Sequence, residues 1–262
     1  MPSTPPPTTT RSKPARPPSS AATSSAQRRQ GRKQQAEAQR RRRLLWQLAL
    51  AGVAAVLLVG GFIAYSQLSG SENDAAAIDY GGIPSEGLIL GAADAPVTLV
   101  EYGDYRCIHC ADFTVDVVPS LVQDFVTAGT LRYEFRPLPI LGGVAVDDPG
   151  NPSVLAAESA MCAADQGAFW PYHDRLMAEF RSQHTVGEDQ FRASASGAGI
   201  DADELMTCVD AGTHRQGVID FYNEGTARGL STTPTLFLNG TQIVWTGDYA
   251  ILKKQIESTA GQ

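Results

Sequence analysis

The sequence predicts an α/β domain with an inserted block of helices, set behind a single membrane-crossing helix and a disordered basic tail. Three observations carry this prediction. Charge and apolar residues divide the chain sharply before residue 66. Beyond that point, two short apolar segments flank a stretch whose apolar residues recur every four positions, the order strand–helix–strand. A second pair of short apolar segments comes only after a long middle region rich in Ala, Leu, Met and Glu, residues that favour helix. Strands at both ends with helices between them describe one α/β core carrying an insertion.

The tail comes first. Residues 1–25 contain 7 Pro and 11 Ser/Thr, too little apolar surface to offset chain entropy, so disorder is expected. Residues 1–43 hold 11 Lys+Arg against one acid, Glu37, whereas the remaining residues hold 10 against 27. So acidic a body excludes nucleic acid as a partner, because phosphate binding needs a basic face. Residues 44–65 form an apolar run with Gln47 as its main interruption and Trp46 and Tyr65 near its ends. At about 1.5 Å per residue this run spans roughly 33 Å, enough for a bilayer core of about 30 Å. A cleaved export signal is the alternative, although its apolar region is shorter, about 7–15 residues. A twin-arginine signal is another, since Arg40, Arg41, Arg42 and Arg43 abut the run. The positive-inside rule keeps residues 1–43 cytoplasmic and sends the rest outside. Residues 66–82, rich in Ser, Ala, Gly and acids, read as a flexible spacer, and residues 83–262 as the folded domain.

Within that domain, residues 96–102 are short, apolar and β-branched, the pattern of a buried strand. Residues 131–136 alternate apolar and charged, the period of a half-buried strand. Between them Phe113, Val117, Leu121 and Phe125, with Val118 and Val122 beside them, mark one helical face beginning near Cys107. Pro119 should kink that helix, because it lacks a donor and crowds the carbonyl of Val115. Together these make a βαβ unit, expected to be parallel. Helices are expected over 153–166, 168–180, 188–196, 202–209 and 213–228, an insertion of about 150–228. Pro171 sits in a tolerated first-turn position, and Gly229 is a C-terminal stop. Residues 235–238, the turn Asn239-Gly240 and residues 242–245 read as a hairpin, and residues 249–258 as a last helix.

The four cysteines, Cys107, Cys110, Cys162 and Cys208, all lie beyond the apolar run. An even count in an oxidising compartment suggests two bridges, with three pairings open. Cys107-Ile108-His109-Cys110 falls just after a buried strand, at a helix start. Free N–H groups and the helix dipole favour an anion there, so the Cys107 thiolate should be stabilised. Each pKa unit of depression is about 1.4 kcal/mol in favour of the reduced form. A Cys107–Cys110 disulfide would accordingly be oxidising. His109 can add charge or a hydrogen bond, Arg106 long-range attraction, and Cys110, one turn inside, suits the resolving thiol. A zinc site using these thiols and His109 lacks a second paired motif for its remaining ligands, so neither metal nor cofactor is expected.

The segment Val100-Glu101-Tyr102-Gly103-Asp104-Tyr105-Arg106-Cys107-Ile108-His109-Cys110 resembles the active-site segment of DsbA-like thiol–disulfide oxidoreductases of the thioredoxin superfamily. So do Cys162-Ala163-Ala164-Asp165-Gln166-Gly167-Ala168-Phe169-Trp170-Pro171-Tyr172-His173-Asp174 and Ser231-Thr232-Thr233-Pro234-Thr235-Leu236-Phe237. The resemblance covers about residues 84–262 and implies a thioredoxin-like fold with a helical insertion. It implies that Glu101 is the buried acid that helps move the proton of the resolving thiol. Pro234 becomes the cis-proline beside the active site, and Thr233 the residue whose backbone pairs with substrate. It favours oxidase activity through His109, while Ile108 stands where such members often carry proline, and Thr233 too differs from some of them. Cys162 and Cys208 remain, and a structural bridge between them is expected. His173, Trp170 and Tyr172 are read as packing residues.

The function read from the sequence is a membrane-tethered, extracytoplasmic oxidase that donates its Cys107–Cys110 disulfide to exported polypeptides with free thiols. The family resemblance implies a membrane partner that reoxidises it. A reductase or isomerase is the alternative within enzymes. A non-catalytic, chaperone-like binder of extended chains is the alternative outside them.

Overall fold

The computed structural model describes residues 78–261, together with the single position Gly52. The expected tail (1–43), the expected membrane helix (44–65) and most of the expected spacer (66–82) lie outside the described residues. Among the described residues no helix is long and apolar enough to cross a membrane. Residues 78–82 differ from a free spacer. Ile78 and Tyr80 pack against the core, and the Tyr80 hydroxyl donates to Asp174 Oδ2 at 2.5 Å.

A six-stranded sheet has the order β1-β2-β4-β3-β5-β6. The strands are β1 (Ser85–Glu86), β2 (Ile89–Leu90), β3 (Val97–Gly103), β4 (Leu131–Pro137), β5 (Thr235–Leu238) and β6 (Thr241–Ile243). Strands β3 and β4 run parallel, as a strand–helix–strand crossover requires, and the other pairings are antiparallel. In β4, Leu131, Tyr133 and Phe135 are buried while Arg132, Glu134 and Arg136 face outward, as the alternation predicts. The β1–β2 hairpin was not expected, since two-residue strands carry no periodicity to read. Strand β6 stops at Ile243, short of the expected 245. Val244 is 78% exposed, and Trp245 turns back so that its ring meets Phe113 edge-on at 5.1 Å.

Helix α1 (Ile108–Asp116) ends where Pro119 cannot donate to Val115, and the chain restarts as α2 (Val118–Leu121) with Pro119 in its first turn. A π-helical turn, Val122–Val126, follows. Phe113, Val117, Val118, Leu121, Val122 and Phe125 are all buried, so the apolar face survives the break. The insertion comprises α3 (Pro152–Asp165), α4 (Phe169–Gln183), α5 (Glu188–Ala198) and α6 (Ala202–Asp210), and leads into α7 (Arg215–Ala227). Asn151 and Asp201 cap α3 and α6 through their side chains. Helix α4 packs on α1, α3 and α5, and α3 also packs on α6 and α7. Gly225 lies inside the unbroken α7 for a packing reason: a Cβ there would lie 2.6 Å from Leu138 Cδ1. Helix α8 (Tyr249–Ala260) closes the domain behind the cap of Asp248.

The Cys162–Cys208 bridge is present and ties α3 to α6 across a sequence separation of 46. Closing a loop of that size restricts the unfolded chain by about 4 kcal/mol in the chain-entropy treatment. A C162S/C208S chain is expected to lose stability of that order in urea titration while keeping the Cys107 titration of the parent.

Candidate active site

Strand β3 runs into a tight segment that delivers Cys107 to the start of α1. The fully buried Asp104 organises this segment. Its carboxylate accepts the Arg106 N–H through Oδ1 and the Leu141 N–H through Oδ2, each at 2.8 Å. The Arg106 guanidinium donates to the Leu141 carbonyl at 2.7 Å. Cys107 is extended (φ −94°, ψ 115°) and caps α1 without being part of it. Its carbonyl accepts from the Cys110 and Ala111 N–H groups at 3.1 and 3.0 Å.

Cys107 and Cys110 are unbridged, and their surroundings differ. The Cys107 pKa is lowered from 9.0 to about 6. The largest cause is the hydrogen bond from the Cys110 thiol. Burial opposes it, and the Thr233 side chain and the backbone N–H groups of Cys110 and His109 add to the lowering. In the thiol form Cys107 donates to the Thr233 carbonyl at 3.2 Å. A carbonyl offers nothing to a thiolate, so the donors from Cys110, Thr233 and the helix start must outweigh that loss. Cys110 is fully buried and its pKa is pushed well above 9.0, first by desolvation, then by its bond to Cys107 and by the charge of Glu101.

Glu101 sits in the central strand, paired with Phe135 of β4 and Leu236 of β5, and is 0% exposed. Tyr133, diagonal to it on β4, donates its hydroxyl to Oε2. Oε1 has no hydrogen-bond partner. Burial raises the carboxyl to about 8, against the lowering pull of Tyr133. The charge of Cys107 raises it further, so the acid and the two sulfurs sense one another.

The Thr233–Pro234 peptide is cis and stands across from Cys107. Thr233 and Pro234 line a groove of about 770 Å3 together with His109, Asp112, Asp116, Arg181 and the segment from Gln242 to Gly247. Arg181 grips Asp116 with two hydrogen bonds, at 2.7 and 2.9 Å. The His109 imidazole is exposed in this groove. What reaches the sulfur from His109 is its backbone N–H. His173 is buried and serves packing. Its Nδ1 meets the Tyr105 hydroxyl at 2.8 Å, and burial lowers its pKa to about 3, which keeps it neutral.

The structure thus gathers Cys107, Cys110, His109, Glu101, Thr233 and Pro234 at one end of the sheet, and sets Cys162 and Cys208 apart in the insertion. Sequence reasoning missed Asp104 and Tyr133. A signal for Tyr133 exists, since it occupies an inward position of β4 and diagonal neighbours on one face can touch. For Asp104 only half was legible: its bond to the Arg106 N–H is the local turn that aspartate favours, whereas its bond to Leu141 comes from a distant loop.

A family model described as Thioredoxin matches residues 85–258. "Disulfide bond formation protein D" of Bacillus subtilis is 27% identical over 175 residues, covering 64% of this chain and 75% of that protein. The Na(+)/H(+) antiporter NhaA 1 of Salinispora arenicola is 33% identical over 163 residues, which is 60% of this chain but 22% of that protein. The chain therefore spans about a fifth of that antiporter. Among solved structures, oxidised BdbD from Bacillus subtilis has a TM-score of 0.58 and 26% identity, covering 69% of this chain and 97% of that one. Reduced DsbA from Mycobacterium tuberculosis shares the fold, with a TM-score of 0.54 and 19% identity over 68% and 94% of the two chains.

Two expectations follow from this geometry. Iodoacetamide should alkylate the reduced protein at Cys107 with a midpoint near pH 6, far below an ordinary cysteine, while Cys110 stays unmodified across the neutral range. A midpoint near 9 would overturn the electrostatic assignment. Glu101→Gln keeps the volume and removes the titratable proton. It should slow the step in which Cys110 gains or loses its proton by about 100-fold or more, read as single-turnover exchange with a dithiol peptide, with the Cys107 midpoint moving far less.

Proposed function

Since this chain belongs to the thioredoxin family, among its DsbA-like disulfide oxidoreductases, we propose that it works as an oxidase, giving its Cys107–Cys110 disulfide to exported polypeptides. The observation that carries this reading is the depressed Cys107 pKa beside a strongly raised Cys110. Stabilising the Cys107 thiolate stabilises the reduced protein and so makes its disulfide a stronger oxidant.

The steps follow from the asymmetry. A substrate thiolate attacks Cys107 Sγ, which lies against Thr233 of the groove wall, and forms a substrate–Cys107 disulfide. The bond to Cys110 breaks, and the Cys110 sulfur, buried and unsuited to charge, takes up a proton that Glu101 supplies. A second substrate thiolate attacks the substrate sulfur and expels Cys107 as the stabilised thiolate. Two electrons pass from the substrate thiols to the protein. Thr233 and Pro234 line the groove where an extended chain would pair, and His109 is the exposed side chain at its edge. A membrane partner then withdraws the two electrons and restores the disulfide. The basic residues of 1–43 and the apolar run 44–65 support a single-pass anchor with the redox domain extracytoplasmic.

The test is redox equilibration with glutathione together with oxidation of a reduced, unfolded model protein. A potential above about −200 mV is expected, whereas one near thioredoxin's, about −270 mV, would turn the reading to a reductase. Cys107→Ser should abolish transfer, and Cys110→Ser should trap a mixed disulfide with substrate. A Cys107→Ser chain that retains full function would instead favour a binder.

A further inference from the structure

Within the helical insertion, around the Cys162–Cys208 bridge, three potential metal donors converge and Asp165 lies beside them. Cys162 and Asp165 lie one turn apart on α3, so they share a face. Cys208 lies near the end of α6. His214 stands at the start of α7, brought back by a turn in which Gly212 has φ 64° and Thr213 Oγ1 donates to the Cys208 carbonyl at 3.1 Å. Cys162 Sγ, Cys208 Sγ and an imidazole nitrogen of His214 are all within 4.8 Å of one another. Asp165 Oδ2 is 2.6 Å from His214 Nε2 and 4.0 Å from Cys208 Sγ. The last approach is a contact only, because a bridged sulfur carries no proton.

From this convergence we propose that Cys162, Cys208, His214 and Asp165 form a redox-gated zinc site, closed by the disulfide and opened by its reduction. Tetrahedral zinc with bonds of about 2.0–2.3 Å holds its ligand atoms roughly 3.3–3.8 Å apart. The Asp165 oxygen stands 4.0 Å from the Cys208 sulfur, near that spacing, and 2.6 Å from the His214 nitrogen, a hydrogen bond that a metal entering between them would replace. The two sulfurs, joined at 2.02 Å, are too close only while bonded. Once reduced they need rotate only about their side-chain bonds, since their Cα atoms are 5.9 Å apart. Two soft thiolates with an imidazole and a carboxylate suit zinc over magnesium or calcium. The spacing Cys-x2-Asp followed by Cys-x5-His is no paired-cysteine knuckle, and for that reason it escapes a search by cysteine spacing.

The chemistry balances with a dithiol as reductant. It gives two electrons to the Cys162–Cys208 bond, leaves as its own disulfide, and its two protons go to the separated sulfurs. Zinc then displaces both protons to solvent. The metal would replace the covalent tie between α3 and α6 when that tie is cut, keeping the insertion closed. The site is separate from Cys107 and stands whether that residue acts as oxidant or reductant.

The experiment uses the full chain carrying Cys107→Ser and Cys110→Ser, reduced with a phosphine and titrated with cobalt(II), then zinc. One equivalent of cobalt should bind with thiolate charge-transfer and tetrahedral bands, and one equivalent of zinc should bleach them. The oxidised protein should show neither. His214→Ala should weaken cobalt binding by at least about tenfold, and Asp165→Asn should weaken it too. The oxidised forms of both variants should keep the parent's helical circular dichroism. A reduced chain that loses helix and regains it with zinc supports the site. No thiolate–cobalt band, binding indifferent to His214→Ala, or a reduced chain that stays unfolded with zinc would each overturn it.

Discussion

The functional geometry depends on an inequality between two sulfurs one helical turn apart. Cys107 ends the extended segment at the start of α1, where N–H groups without intrahelical partners face it. Cys110 is inside the helix and fully buried. Several fixed donors solvate a charge at the first position, whereas at the second the backbone bond at Asp104 is outweighed by desolvation. The strongest donor to Cys107 is Cys110 itself, so the buried thiol's retained proton is what stabilises its neighbour's charge. The bond between them is weakened relative to the dithiol state without any distortion of the fold.

That inequality needs rigid surroundings. Asp104 fixes the segment before Cys107 by accepting two backbone N–H groups, one of them from the loop at Leu141. The opposite wall comes from Thr233 and Pro234, which immediately precede β5, the strand paired with β3. The sheet therefore holds both sides of the groove to one reference. His173, neutral and enclosed by Tyr105, Phe135, Phe169 and Trp170, joins the insertion to the back of α1. The insertion is thus part of the active site's support even though it contributes no reacting atom.

The strands and helices were legible where one periodicity ran long enough to be read. The alternation of Leu131 to Arg136 and the four-residue repeat from Phe113 to Phe125 both led to the observed burial, and Pro119 marked the break in α1. The paired cysteines were legible because strand, turn and helix surround them in order. What stayed hidden depends on pairing across the chain. Ser85–Glu86 and Ile89–Leu90 become strands only because β4 offers an edge to β2. Tyr133 touches Glu101 only through the parallel register of β3 and β4. His109 was read for its imidazole; the backbone N–H at its position also favours the thiolate, a contribution that any residue but proline would supply and that side-chain chemistry does not announce.

Glu101 and Cys107 act on stability in opposite senses and in different states. The Glu101 carboxyl is raised from 4.5 to about 8, so the folded chain holds a proton that the unfolded chain releases, and stability falls as pH rises between those values. That cost, a few kcal/mol by the size of the shift, bears on folding in either redox form. Cys107 is lowered from 9.0 to about 6. Its contribution is complete above 9, shrinks as pH falls and is gone below about 6. At pH 7 it is about 1 kcal/mol once screening by solvent at the groove is allowed for. It exists only in the dithiol form, because a bridged sulfur does not titrate. The carboxyl therefore lowers the stability of the whole fold and largely cancels from the redox couple, while the thiolate stabilises one member of the couple alone. A fold selected for stability alone would have no reason to keep a buried carboxyl with an unpartnered oxygen. On the proposed reading, in which Glu101 returns a proton to a buried sulfur, the fold has one.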